Sequence, residues 1–364
     1  VTTFGGEIME NLSIRVAAAL RRAGRAYLTA KAGVQGKAFY CAALAGRSGI
    51  NLCVNSDLTV SCSCHDVDGS GQIGDMAHES LREVLCGPIA QRFREELARG
   101  RLPTPLCARC CDLCAVAKDR AQPFLAEYRL PTYLMVENTV ACNLRCVSCP
   151  RTQVRRLRKR VSMSLDDVRR VARELSETGI RTVAYLNQGE PFLSRTIRQE
   201  LEILRESNPG LTINTSTNAM LIDSDEKREA ALLLDNIQVS LDGTDQATAE
   251  RYQRGIDFDK AYRNMKSLVE TRDARGLDRP LVIWKYLLFR WNEKKKHLRR
   301  AIEMGRAANV DTLLFEKTVS PFYAIPVRYY LGLLTGIGQQ RPCGIEVLLR
   351  QSAETGTQLV CDTS

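Results

Sequence analysis

The sequence predicts an α/β fold of parallel strand-helix units, preceded by a smaller cysteine-rich N-terminal domain. Two observations carry that expectation. From Thr132 onward, short β-rich runs alternate with segments of helical periodicity. Twelve of the fourteen cysteines fall between Cys41 and Cys149, and the region from Pro150 to Pro342 has none, so the chain has two compositional halves.

The strand runs are TYLMVE (132–137), TVAYL (182–186), LTINT (211–215), NIQVSL (236–241), LVIWKYLLF (281–289) and TLLFE (312–316). The helix after the first of them is marked at both ends. Ser164 is a cap with Asp167 three residues on; Leu165, Val168, Val171, Ala172 and Leu175 form one apolar stripe, and Gly179 stops it. Ligands of parallel α/β sheets sit beyond the carboxyl ends of strands, so residues just after each run are the first candidates for a site. The stretch 117–131 is the expected junction, giving domains at 1–125, 126–325 and 326–364.

Composition narrows the chemistry. A hydrophobic content of 44% is that of a globular protein with a core, and the net charge of +10 favours acidic partners without naming one. No window has the ~18 uninterrupted apolar residues of a membrane span, and the opening segment lacks a basic start followed by an apolar stretch; the expectation is a soluble, cytoplasmic protein. The histidines are His65, His78 and His297 only, too few for a histidine-based acid-base apparatus. Clustered thiols in a reducing compartment point to metal rather than disulfides.

In CNLRCVSC, Cys142, Cys146 and Cys149 follow the first strand with three and then two residues between them. Three thiolates this close can hold three corners of a cubane cluster and leave one iron open. A zinc knuckle short of its fourth ligand, or three unrelated thiols, explain neither the spacing nor the strand-end position. The motif resembles the signature of the radical S-adenosylmethionine superfamily, and the resemblance covers about residues 132 to 318.

That resemblance implies a partial (β/α)6 TIM-like barrel. It also implies a 4Fe-4S cluster whose open iron binds S-adenosylmethionine, and reductive cleavage to methionine and a 5'-deoxyadenosyl radical that removes a substrate hydrogen. Further segments carry it. In NQGEP (187–191), Gly189 and Glu190 match the glycine-glutamate-proline motif at the cofactor's amino group. In STNAMLI, Thr217 and Asn218 match a segment near the ribose, with Ala219 where the family has glycine. In SLDG (240–243), Ser240 and Asp242 would lie near the ribose hydroxyls, and Arg254 of ERYQRG would pair with the cofactor carboxylate. Many members have an aromatic residue before the third cysteine; here it is Ser148.

Residues 41 to 114 read as a second metal module, zinc or iron-sulfur by spacing alone. LCVNSDLTVSCSCHD, GQIGD, SLREVL and LCARC are similar to the SPASM extension of radical S-adenosylmethionine enzymes, which binds auxiliary 4Fe-4S clusters. The resemblance implies Cys41, Cys62, Cys107 and Cys110 as ligands of at least one auxiliary cluster, with Cys53, Cys64, Cys111 and Cys114 as substitutes or part of a second. Leu58 stands at the usual glycine, and the module precedes the barrel where it normally follows it.

RTQVRRLRKR (151–160) is a solvated basic run or a clamp for a substrate phosphate or carboxylate. Cys86 reads as packing, and Cys343 as an inert thiol or a hydrogen donor. The expected function is a radical S-adenosylmethionine enzyme acting on a peptide or a small, sugar-like metabolite by oxidation, crosslinking or epimerisation. It needs an external one-electron reductant of flavodoxin or ferredoxin type. An RNA-modifying enzyme and a non-enzymatic iron-sulfur or zinc module are the alternatives; 6% aromatic content and the lack of an RNA-binding motif speak against nucleic acid.

Overall fold

The computed structural model describes residues 4–121, 129–341 and 344–350; Cys343 and Cys361 lie outside them. The chain forms two compact units, Val1–Val140 with Pro150–Val183, and Ala141–Cys149 with Ala184–Ser364. The cysteine loop belongs to the second unit; residues 122–128 of the expected junction at 117–131 lie outside the described residues.

In the first unit, β1 (Lys37–Cys41) pairs antiparallel with β5 (Leu113–Ala117). The other strands are β2 (Cys53–Val54), β3 (Thr59–Ser61), β4 (Gln72–Asp75), β6 (Tyr133–Val136) and β7 (Thr182–Ala184), side by side in the order β7-β6-β2-β3-β4. The hairpin strands of the cysteine-rich segment thus extend the sheet that contains TYLMVE, with β2 parallel to β6 and antiparallel to β3. The helix Leu165–Thr178 forms as its caps dictate. Ser164 and Asp167 make a reciprocal capping box, Gly179 ends the helix at φ 71°, and Val168, Val171, Ala172 and Leu175 are buried.

The basic run is not an open patch. Arg151–Leu157 is a helix, after which the charges find partners one after another. Arg158 is buried, its Nε donating to Glu137 at 2.7 Å and Nη2 to Asn55 at 2.7 Å. Lys159 reaches Asp75 at 3.0 Å, and Arg160 reaches Asp167 at 2.6 Å. Half of the run is committed to holding this unit together.

In the second unit the order is β8-β9-β10-β11-β13-β12, with β8 (Thr212–Thr217), β9 (Asn236–Ser240), β10 (Leu281–Leu287) and β11 (Thr312–Glu316) parallel. The antiparallel pair β12 (Gln339–Arg341) and β13 (Gly344–Leu348) closes the row, a feature not read from the sequence. The strands alternate between two faces. Val239, Trp284, Tyr286 and Phe315 are buried, and Trp284 contacts Tyr262 of the helix Phe258–Ala274. The opposite face carries Ser216, Gln238, Ser240, Lys285 and Glu316, so it is polar toward the carboxyl ends of the strands. No described helix is long and apolar enough to cross a membrane.

Candidate functional sites

The loop Ala141–Cys149 has no regular structure of its own and is held by backbone bonds to the strand-end segments of its unit. Arg145 N donates to Arg254 O and Val147 N to Tyr252 O, both at 3.0 Å, and Glu190 N donates to Ala141 O at 2.8 Å. Asn218 Nδ2 donates to Asn143 Oδ1 at 2.9 Å. The motif segments after β7, β8 and β9 are therefore each tied to the cysteine loop. The three thiols are partly exposed, with Cys149 Sγ 3.8 Å from Gln188 Oε1. Burial, then Cys149, Asp242 and Cys142, push the Cys146 thiol up. Iron would supply the positive charge that lets it ionise.

Glu190 is buried, and its carboxylate accepts from Thr217 Oγ1 at 2.7 Å, Asn218 N at 2.8 Å and Phe192 N at 3.2 Å. It is the clasp between the segment after β7 and the segment after β8. Gly189 precedes it in the bend 187–189. Thr217 and Asn218 are consumed in the same network, and Asn218 Oδ1 also caps Met220 N at 3.0 Å. Ala219 lies at φ 60°, fully buried, the left-handed conformation for which glycine is usual. The residue differs from the family pattern, while the backbone keeps the conformation that pattern calls for.

Ser240 Oγ is 3.2 Å from Ser216 Oγ at the strand ends. Asp242 is buried; Leu287 N donates to its Oδ1 at 2.9 Å, and its own N–H goes to Gln253 Oε1 at 2.8 Å. Burial raises its carboxyl to about 7, against the pull of the Leu287 N–H and Lys285, while Glu316 adds to the rise. Lys285 and Glu316 are 3.7 Å apart, and the sequence reading singled out neither; their signal was only a charged residue in each of two apolar strands. Gly243 has a steric reason, since a Cβ there would stand 2.5 Å from Thr248 Oγ1 and 2.6 Å from Ala249 N. Arg254 is exposed beside the loop.

The second thiol group lies in the first unit. Cys41, Cys62, Cys107 and Cys110 line one small cavity of about 20 Å³, with apolar walls that include Leu44 and Phe93. Burial pushes Cys41 up to about 12, with Cys107 and Asp112 adding to it. Cys62 is raised by burial and by Cys41 and Cys107, and Cys110 by its side-chain hydrogen bond with Cys111 and by burial. Leu58 lies at φ 69° in the turn before Cys62, again left-handed where the pattern has glycine.

The reserve ligands separate. Cys53 is buried in β2 opposite Ser61 and Met135, away from the cavity lining. Cys114 is exposed in β5. Cys64 and Cys111 lie near Asn51, whose Oδ1 is 3.5 Å from Cys64 Sγ and whose Nδ2 is 3.6 Å from Cys111 Sγ. Cys86 is exposed at the end of the helix Leu81–Cys86.

Among the described residues, no three His, Cys, Asp or Glu side chains are gathered closely enough to hold one metal ion. A single zinc draws thiolates to ~2.3 Å and hence within ~4.6 Å of one another, whereas cubane thiolates each bind a different iron and stand farther apart.

Residues 136–273 match the Radical SAM superfamily. This segment is a radical SAM domain. Curated relatives named GTP 3',8-cyclase align over a similar length. The protein of Pectobacterium atrosepticum is 32% identical over 158 residues, 40% of this chain and 48% of the relative. That of Peptoclostridium acidaminophilum is 27% identical over 135 residues, 37% and 41% of the two chains. The chain thus spans less than half the length of these relatives. Among solved structures, anSMEcpe with bound AdoMet covers 50% of each chain at 17% identity and a TM-score of 0.38. BtrN in complex with AdoMet and 2-DOIA covers 36% of this chain and 50% of its own at 19% identity and a TM-score of 0.29. Scores that low leave the assignment to the sequence match, which begins at Val136 and takes in the whole cysteine loop and each motif segment of the radical SAM domain.

Proposed function

We propose that this chain cleaves S-adenosylmethionine reductively at a 4Fe-4S cluster held by Cys142, Cys146 and Cys149, and uses the product radical to take hydrogen from a small metabolite or peptide. The parallel strands would form part of a (β/α)6 TIM-like barrel around that reaction. The observation that carries the reading is the tethering of the cysteine loop to the segments after β7, β8 and β9. When bound, cluster and cofactor supply methionine and a 5'-deoxyadenosyl radical from one electron delivered by an external flavodoxin- or ferredoxin-type reductant. The protein's own residues orient them. Glu190 clasps two of the segments and leaves the backbone of 188–190 to meet the cofactor's amino group. Ser240 and Asp242 stand at the ribose side, and the exposed Arg254 guanidinium suits its carboxylate.

Cys41, Cys62, Cys107 and Cys110 would hold an auxiliary 4Fe-4S cluster. Four thiolates leave it no open iron, so it would accept the substrate radical's electron rather than cleave the cofactor. That route makes an oxidised product, with the cytoplasm as the reducing setting. The relatives' name, GTP 3',8-cyclase, favours a small molecule over a peptide or RNA. The test is anaerobic reconstitution, reduction with dithionite and chromatography for 5'-deoxyadenosine and methionine. Their formation in equal amounts is expected; a reconstituted, reduced sample that makes neither overturns the proposal.

A further inference from the structure

A cleft that shares Arg251 of ERYQRG with the motif segments is lined by Arg251, Arg290, Trp291 and Tyr323 and has a volume of about 390 Å³. That is the size of a small-molecule site. Its walls are the loops after β9, β10 and β11, all at carboxyl ends of strands. The loops are fastened together, since Arg290 N donates to Ala324 O at 3.0 Å and Arg290 Nη1 to Tyr323 O at 3.5 Å.

The arginines are set for a ligand. Arg251 lies over the Trp291 ring, 4.9 Å from its centroid; Trp291 also stacks on Phe289 at 4.7 Å and 12°, and Phe289 in turn packs on Tyr252 at 4.6 Å, tilted by 38°. A guanidinium over an aromatic ring is held there by cation–π attraction while its N–H groups remain able to donate. Both arginines are exposed, and neither has an ion pair with a carboxylate among the described residues. The Trp291 Nε1–H is buried without a hydrogen-bond partner. A buried donor left unpaired is costly unless something accepts from it.

We propose that this cleft binds the phosphate group of a phosphorylated small-molecule substrate through Arg251 and Arg290, with Trp291 Nε1–H as a third donor. A carboxylate has two oxygens and is filled by one guanidinium fork. A phosphate has a third, so two forks and an indole N–H are better matched to it. The word substrate rests on the radical reaction proposed above; the binding does not. Tyr252, in the ring cluster beneath Arg251, also hydrogen-bonds to the cysteine loop, its carbonyl accepting from Val147 N, so a ligand anchored here lies on the flank of the proposed radical centre.

The experiment is calorimetric titration of the reconstituted protein with inorganic pyrophosphate at low salt. Arg251→Gln with Arg290→Gln should weaken binding by about tenfold or more, Arg251→Lys with Arg290→Lys by less, and Trp291→Phe, which keeps the stack and removes the N–H, by roughly threefold. Succinate should bind about tenfold more weakly than pyrophosphate. S-adenosylmethionine affinity and its cleavage on reduction should stay within about twofold in all variants. Absence of pyrophosphate binding, indifference to the arginine replacements, or a preference for succinate overturns the proposal. So does an equal loss of S-adenosylmethionine affinity, which would assign the cleft to the cofactor. Failure of cofactor cleavage with pyrophosphate binding intact would instead remove the radical reading and leave the phosphate site.

Discussion

The two thiol groups are built in opposite ways. Cys142, Cys146 and Cys149 lie within eight residues on one loop, half-buried, and that loop is held in place from outside by backbone bonds to 190, 252 and 254. Cys41, Cys62, Cys107 and Cys110 come from three distant stretches, and the apolar cavity they line exists only once the helix Pro88–Ala98 has packed Phe93 and Leu97 beside them. A group reached by a second molecule needs a polar, open rim. A group that only passes electrons or braces the fold is better enclosed. Cys107 and Cys110 are as partly exposed as the triplet, so what separates the groups is their assembly, one from a single loop and the other from three stretches of chain.

Removing the open site has the largest expected effect and tests the comparison directly. Replacing Cys142, Cys146 and Cys149 by alanine should lower 5'-deoxyadenosine formation by roughly a thousandfold or more while roughly four irons per chain remain, those of the auxiliary cluster. Iron and sulfide analysis of the reconstituted variant reads this out. Zinc and no residual iron in a folded sample would make the enclosed group structural and a redox-neutral product the better expectation.

The converse is Cys62→Ala, which should remove roughly four irons, leave uncoupled cofactor cleavage within about threefold, and lower thermal stability. If cleavage collapses with the enclosed group, the two roles are not separable.

A smaller loss is expected for the clasp. Glu190→Gln and Arg254→Gln should each weaken S-adenosylmethionine binding by about tenfold, near 1.4 kcal/mol, with the cluster spectrum kept. Unchanged isotherms in both would remove these residues from the cofactor site.

Asp242 gives a pH test on the open side. Its folded carboxyl titrates at about 7 against an ordinary 3.8, so the folded chain holds this proton more tightly. Its contribution to stability is therefore greatest below the ordinary value and is lost as pH rises toward 7, the folded state binding more protons than the unfolded throughout that window. Lys285, Glu316, Tyr252, Tyr286 and Cys146 face the same region and must be held constant. Asp242→Asn, which can still accept from Leu287 N–H, should flatten this slope and raise apoprotein stability at pH 8 by roughly 1–4 kcal/mol. Parallel melting curves for the two proteins from pH 5 to 8 would contradict it.

The smallest effect tests the backbone alone. Ala219→Gly should relieve the left-handed strain and stabilise the protein by up to about 1 kcal/mol, because the lost methyl is small. A fall in melting temperature would mean that burial of the Ala219 methyl outweighs the strain.

Much of this was legible in the residues. Strand positions could be read because apolar β-rich runs are local patterns, and the helix Leu165–Thr178 because a capping box and a terminal glycine act within a few residues. The cysteine triplet was legible for the same reason: its ligands are neighbours in the chain. Ala219 and Leu58 show the limit of residue matching, since both keep a left-handed backbone without the glycine that announces it.

Long-range packing decided the rest. It turned Arg158, Lys159 and Arg160 from a basic patch into three ion pairs with Glu137, Asp75 and Asp167, and buried Cys53 in a strand while Cys41, Cys62, Cys107 and Cys110 met around one cavity. It also set Lys285 beside Glu316 and Arg251 over Trp291, pairs separated by 31 and 40 positions in the chain. The sequence by itself determined which residue types were present and what each stretch would form locally. Which charges and thiols meet depends on the tertiary structure, because a contact between distant segments has no local pattern to mark it.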